Sequence, residues 1–402
     1  MEDLPEPNPV PRLTTSNRFQ VLITYLFRIP WVTVTTLARR WSPFSTYKPP
    51  PLREHLFRHV MTCIGNNTPP GVGWIIDRNG DKLLSSTRYA HLRSQIYRPV
   101  RTPEFAGFWF CRGLSSEVLD PQTADLVLYQ IHGGGYVAGH PGASAPEHLF
   151  VAEILAQQGI STAIFSLDYT LAPKATLPTS INEAVTAYDW LTGPVNKIDP
   201  AKIFVIGESA GGHLVISLLT ALHERSSRSS SCTGKETPPS STKPAAAFLV
   251  SPWVNLYTSH PRVLSLYWEE RLFKISLDKS CDMVLKGTPS EFESVYGNFA
   301  VDNDKRASWK DILPAQTWVS AGSEELVFRY DIEDFVDHAK RDGATISLDI
   351  KEGANHTWQC AEASAQHSKL LAMKPGEMDS TLMAGYQAIA SAMAGFIGGR
   401  NN

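Results

Sequence analysis

From about residue 95 onward, short apolar runs alternate with longer amphipathic stretches. The runs include QIYRPV (95–100), ADLVLYQI (124–131), STAIFSLDY (161–169), KIFVI (202–206), AAAFLVSPW (245–253), AQTWVSAG (315–322) and TISLDIKEG (345–353). Most are apolar at consecutive positions, as strands covered on both faces must be. Between them, PEHLFVAEILAQQG (146–159) and TSINEAVTAYDWLTG (179–193) repeat their apolar positions every three or four residues and end in glycine, the pattern of helices packed on a sheet. The rhythm predicts an α/β fold with a mostly parallel central sheet and helices on both faces.

Three regions depart from this rhythm. LREHLFRHVMTCI (52–64) reads as a helix, and Asn79-Gly80 separates two short apolar runs as in a hairpin. Residues 224–244 are rich in Ser, Thr, Pro and charge and predict a mobile surface loop. Residues 255–312, including LSLYWEERLFKISLD, form broken helical runs that fit a lid over the carboxyl edge of the sheet. The expected organisation is an N-terminal extension contributing to the lid over 1–95 and a first part of the core over 96–254. An internal lid excursion over 255–312 and the rest of the core over 313–402 complete it.

The segment FQVLITYLFRIPWVTVTTLARR (19–40) is long enough to cross a bilayer, but Arg28 lies near its middle and Pro30 follows. A mid-bilayer arginine costs about 2.5–3.5 kcal/mol on insertion scales. Residues 1–60 carry eight basic against four acidic side chains, which suits an interfacial element. The segment is expected to pack on the protein's own lid, with peripheral membrane contact and a true span as alternatives. The opening residues make a poor signal peptide.

Composition narrows the function. The 402 residues are 43% hydrophobic and 19% charged, with net charge −3, which excludes a wholly disordered chain and a whole-chain nucleic-acid footprint. Five cysteines, at 63, 111, 232, 281 and 360, form no C-x-x-C pair. A zinc or redox site built on them is not expected, and the odd count favours an intracellular setting. No cofactor is called for.

The chemistry concentrates in Gly207-Glu208-Ser209-Ala210-Gly211, a G-x-S-x-G pentapeptide between the strand KIFVI and the helix GHLVISLLTAL. Such a turn exposes the serine oxygen at the sheet edge, with a helix N-terminus facing developing negative charge. Upstream, His132-Gly133-Gly134-Gly135-Tyr136 follows LVLYQI. Its side-chain-free residues let backbone N–H groups approach a substrate oxyanion. A phosphate loop would need G-x-x-x-x-G-K-[ST], which is absent here, and His132 reads as a support for the loop. A serine nucleophile needs a base and the base a carboxylate. His356, in the loop after the last strand, is the favoured base, and Glu324 and Glu325 both stand at a strand's carboxyl end.

HGGGYVAG (132–139), DYTLAP (168–173), DPAKIFVIGESAGG (199–212), GSEEL (322–326) and GANHTW (353–358) resemble the hormone-sensitive-lipase-like family of α/β-hydrolases, particularly its fungal members. The resemblance covers about residues 120–370. It implies an α/β-hydrolase fold with a helical lid, Ser209 as nucleophile, Glu325 as acid and His356 as base. It also implies oxyanion donors at Gly134, Gly135 and Ala210, with His132, Gly133, Glu208 and Asp168 in support. The family usually has aspartate at the acid position, so Asp331 and Glu324 stay open as alternatives to Glu325. The implied activity is hydrolysis of an apolar carboxylic ester, such as a secondary-metabolite ester or acetate. Acyl transfer, lactone chemistry and a non-catalytic binding module are the alternatives. Tyr136, Trp253, Tyr257, Trp268 and Trp358 are candidate pocket residues. The partner is a small ester, with a homodimer as the assembly to test.

Overall fold

The computed structural model describes residues 14–42, 52–67, 83–114, 118–233, 243–265, 268–325 and 327–399. Eight strands form one sheet: β1 (Arg98–Arg101), β2 (Ala106–Arg112), β3 (Leu126–Ile131), β4 (Thr162–Leu167), β5 (Ile203–Glu208), β6 (Ala246–Val250), β7 (Gln316–Gly322) and β8 (Ile346–Lys351). Their order is β1-β2-β4-β3-β5-β6-β7-β8. The first two pairings are antiparallel, and every pairing from β4 through β8 is parallel. This is the mostly parallel, helix-covered sheet expected from the alternating runs, and the α/β-hydrolase architecture that the family resemblance implied. β2, the run AGFWFCR, was not among the expected strands.

Alternation within each strand builds two cores. In β3, Val127 and Tyr129 join Val205, Leu249 and Val319 on one face, while Leu126 and Leu128 join Phe204, Ile206 and Phe248 on the other. Both faces are dry because both are apolar, so neither can be left to water without losing about 25 cal/mol per Å² of buried apolar area. The first face is covered by α5 (Leu177–Thr192) and α6 (Ala210–Thr233), and by α9 (Arg329–Arg341). The second is covered by α4 (Ala145–Gln157), α10 (Trp358–Ala372) and α11 (Ala384–Gly398).

Outside this core stand α1 (Thr15–Ile23) and α2 (Ile29–Arg40), joined without a break by a π-helical turn over Thr24–Arg28. α3 (Leu52–Asn67) packs against α2 on one side and against α7 (Trp268–Val284) on the other. α7 and α8 (Ser290–Tyr296) lie in the excursion between β6 and β7. The expected loop over 224–244 is corrected in part. α6 continues to Thr233, because helix propagation costs little once a long buried helix is formed, even through serines. The Asn79-Gly80 hairpin falls outside the described residues.

The packing of α6 under β3 leaves no room at Gly211. A Cβ there would stand 2.1 Å from the Ile131 carbonyl oxygen and 2.6 Å from that of His132. Since both are backbone atoms, neither can rotate away. Gly211→Ala is expected to destabilise the fold by about 2–3 kcal/mol, to be read as a lowered chemical-denaturation midpoint with unchanged slope. A wild-type midpoint would contradict this packing.

Candidate active site

Three strand ends on one edge of the sheet, those of β5, β7 and β8, bring three distant residues together. Ser209 occupies the turn between β5 and α6, Glu325 the turn after β7, and His356 the turn after β8. His356 Nε2 lies 2.9 Å from Ser209 Oγ, and His356 Nδ1 lies 2.9 Å from Glu325 Oε2. A carboxylate accepts, so Nδ1 carries the hydrogen. That leaves the Nε2 lone pair for the serine hydroxyl.

The serine turn is strained. Ser209 has φ +52°, a left-handed conformation that costs a non-glycine residue roughly 1–3 kcal/mol. Two bonds hold it there, Ser209 N–H to the Val250 carbonyl and Trp253 N–H to the Ser209 carbonyl, each 2.9 Å. At Gly207, a Cβ would meet the Gly211 carbonyl oxygen at 2.3 Å, so a side chain there would break the sharp turn.

Glu325 is 2% exposed, and both its oxygens are engaged. Oε1 accepts from Ser251 Oγ and from the Gly322 N–H, each at 2.5 Å, while Oε2 takes His356. Ser251, just after β6, also accepts the Thr357 N–H at 3.0 Å. It therefore ties the acid to the residue beside the base. Sequence reading missed Ser251; its one signal was its position at a strand's carboxyl end in VSPW. Of the other acid candidates, Glu324 has its N–H bonded to the Ala354 carbonyl, and Asp331 is bonded to Asn255. Burial raises the Asp331 carboxyl above its usual range. Among the three, it is Glu325 that reaches His356.

The glycine loop lies directly against the serine, and a Cβ on Gly133 would stand 3.4 Å from Ser209 Cβ. Gly134 and Gly135 have φ +114° and +62°, which residues with side chains rarely adopt. Ala210 opens α6, whose first-turn N–H groups lack intrahelical acceptors. His132 donates from Nδ1 to the Gly133 carbonyl at 2.7 Å and stacks on Tyr169 at 4.3 Å. Burial drops its pKa to about 3, so it braces the loop as a neutral ring. Asp168 is buried just past β4, beside Tyr169, whose hydroxyl donates to the His132 carbonyl at 3.0 Å.

Glu208 supports the same loop from behind. Its carboxylate accepts the Gly133 N–H and lies 3.4 Å from Ser144 Oγ and 3.3 Å from the Tyr386 hydroxyl. Burial, with Glu147 nearby, lifts its pKa to about 8.

The aromatic pocket candidates separate. Tyr136 and Trp253 are corrected to packing residues, 1% and 2% exposed. The Tyr136 hydroxyl is held 2.7 Å from His213 Nδ1, and Trp253 packs edge-on to Phe328. Tyr257 is turned to the surface, where its hydroxyl donates to Asp282 at 2.7 Å. Trp358 opens α10 with Lys351 over its ring at 5.7 Å, and the Trp268 side chain lies outside the described residues. The rings that do face the base are Phe328, stacked on His356 at 4.2 Å, and Phe273 of α7, at 6.5 Å. Neither had a sequence signal: Phe273 reaches the base through the fold-back of the excursion, and Phe328 through the turn that leads from Glu325 into α9.

Residues 128–360, more than half the chain, match a family described as alpha/beta hydrolase fold. The chain belongs to that family. It is 31% identical over 27% of its length to a protein of Arabidopsis thaliana named "Probable carboxylesterase 8". It is 34% identical over 26% of its length to the ethyl acetate hydrolase of Pseudomonas putida, and 35% identical over 24% to the hormone-sensitive lipase of Mus musculus. The matches span 36%, 31% and 12% of those relatives. An esterase/lipase from an uncultured bacterium shares the fold, with TM-score 0.56 at 19% identity, covering 92% of this chain and 99% of that one. An esterase of the bacterial hormone-sensitive lipase family superposes with TM-score 0.51 at 20% identity, covering 92% and 97%.

A carboxyl whose folded pKa is raised binds its proton more tightly when folded. Its contribution therefore opposes unfolding fully below the unfolded value of about 4.5 and is lost as pH rises through about 8. Relative to Glu208→Gln, the wild type is therefore expected to lose melting temperature as pH rises across that window. Parallel melting-temperature profiles for the two proteins would show that Glu208 does not carry the effect.

Proposed function

We propose that this protein is a carboxylic ester hydrolase acting through Ser209, His356 and Glu325. The observation that carries the reading is the unbroken run of hydrogen bonds from Ser209 Oγ through the imidazole to Glu325, each 2.9 Å. His356 takes the serine proton as Ser209 Oγ attacks the ester carbonyl, and Glu325 holds the imidazolium that forms. The N–H groups of Gly134, Gly135 and Ala210 receive the oxyanion; losing one such donor typically raises the barrier by about 3–4 kcal/mol. His356 returns the proton to the departing alkoxide, which leaves as the alcohol. Water, deprotonated by the same Nε2, then attacks the acyl-enzyme, and Ser209 leaves with its proton restored as the carboxylic acid is released.

The substrate class we propose is an ester with an apolar acyl or alcohol part. Support comes from Phe328 and Phe273 beside the base, and from relatives named as an ethyl acetate hydrolase and a lipase. Neither ring can hydrogen-bond, so a polar group held against them would lose its water without compensation.

A panel of aryl and alkyl esters tests the assignment. Ser209→Ala is expected to abolish turnover while keeping the fold. Glu325→Gln is expected to lose roughly 10³–10⁴-fold in kcat. The amide oxygen can keep the Ser251 and Gly322 bonds, which turns its NH₂ toward Nδ1 and forces the imidazole hydrogen onto Nε2, where it blocks the serine. Wild-type turnover in either variant would overturn the triad.

A further inference from the structure

The helix running from Thr15 to Arg40 is amphipathic the wrong way round for a protein in water. Two of its residues are fully buried, Thr24 and Thr36, and both are polar. Its inward side chains bond to α3: Gln20 Nε2 donates to the Asn67 carbonyl at 2.9 Å, Arg28 to Asn67 Oδ1, and Thr36 Oγ1 lies 2.7 Å from His59 Nδ1. Facing outward are Phe19, Leu22, Leu26, Phe27, Trp31 and Val34, with Trp31 69% and Phe27 67% exposed. A cap helix in water turns its apolar stripe inward. A contiguous row of large exposed apolar side chains marks a surface that meets something apolar.

Charge identifies the occupant. Residues 14–42 contain four arginines, at 18, 28, 39 and 40, and no aspartate, glutamate or lysine. Arg18 stands at one end of the stripe and Arg39-Arg40 at the other, beside Trp41. Aromatic side chains with flanking arginines suit the boundary between acyl chains and anionic headgroups. The helix has the length to span a bilayer, 26 residues or about 39 Å at 1.5 Å per residue. Its polar face, however, is committed to α3, whose sequence includes Arg53, Glu54, His55, Arg58 and His59. A span would carry that charged helix into the hydrocarbon or break the bonds to it. Lying in the plane costs neither.

We infer that the outer face of this helix docks in the plane of an anionic lipid surface. The contacts then run inward without a gap. The helix packs on α3, α3 packs on α7, and Phe273 of α7 approaches His356. The cap would thus hold the catalytic side chains beneath the same surface from which an apolar ester partitions. This last point rests on the proposed hydrolase reading; the docking itself does not.

The test is co-sedimentation of the full chain with phosphatidylcholine vesicles, with and without phosphatidylglycerol. Wild type is expected to pellet with the anionic vesicles. The triple variant F27E/W31E/V34E should lose at least roughly a hundredfold in apparent affinity, and R39E/R40E roughly tenfold on anionic vesicles only. The triple variant should retain wild-type circular dichroism, because Phe27, Trp31 and Val34 point away from the packed face. Ser209→Ala should bind like wild type, so loss of turnover and loss of docking are scored separately. Wild type left in the supernatant, or equal binding by the triple variant, overturns the inference. So does an N-terminal tag shielded from external protease, which indicates a span. A concentration-dependent dimer dissolved by the triple substitution, with no vesicle binding, assigns the face to a second copy and overturns it too.

Discussion

The Glu325 carboxylate is the constraint on which the site depends. It is buried, and an ionised carboxyl out of water is tolerated only when hydrogen-bond donors surround it. Its donors come from three places: the Gly322 N–H at its own strand end, Ser251 after β6, and His356 after β8. Satisfying one charge therefore fixes the spacing of three strand ends. With the imidazole held in one tautomer by that carboxylate, Ser209 has an acceptor 2.9 Å away.

A second buried carboxyl belongs to Glu208, the residue before Ser209, and has different partners. Glu208 is held neutral over much of the ordinary pH range by burial, and it is linked to Gly133 in the glycine loop. The loop is thus braced by Glu208 behind Gly133 and by neutral His132 at the Gly133 carbonyl. Preorganisation of this kind matters because donors that must reorganise at the moment of reaction stabilise the oxyanion less. The two acids thus have separate contacts, Glu325 with His356 and Glu208 behind the glycine loop.

Much of this was legible in the residues because it follows from local constraints. Consecutive apolar runs required strands covered on both faces, and G-E-S-A-G between strand and helix required a sharp turn with an exposed serine. Which glutamate serves His356 was not readable from local pattern, since Glu324 and Glu325 are adjacent and only side-chain direction separates them; the family resemblance was what singled out Glu325. Ser251, Phe273 and Phe328 escaped for a related reason. Their roles arise from tertiary approach, and nothing local distinguishes VSPW or a phenylalanine in a helix from ordinary packing. Tyr136 and Trp253 erred in the opposite direction, being aromatic and near the motifs yet consumed by the core. The 19–40 segment was ambiguous until its threonines were seen to face inward, because composition reports how apolar a helix is but not which side faces the protein.

Covalent trapping tests the catalytic account most directly. Full-length protein treated with an active-site-directed phosphonate should gain one adduct by intact-mass measurement, localised by peptide mapping to Ser209, with ester hydrolysis lost in proportion. The His356→Ala variant, shown to be folded by circular dichroism, should label at least roughly a hundredfold more slowly, as expected when a general base is removed. A folded wild-type protein that hydrolyses esters but carries the phosphonate on another residue, or stays unlabelled, would contradict it.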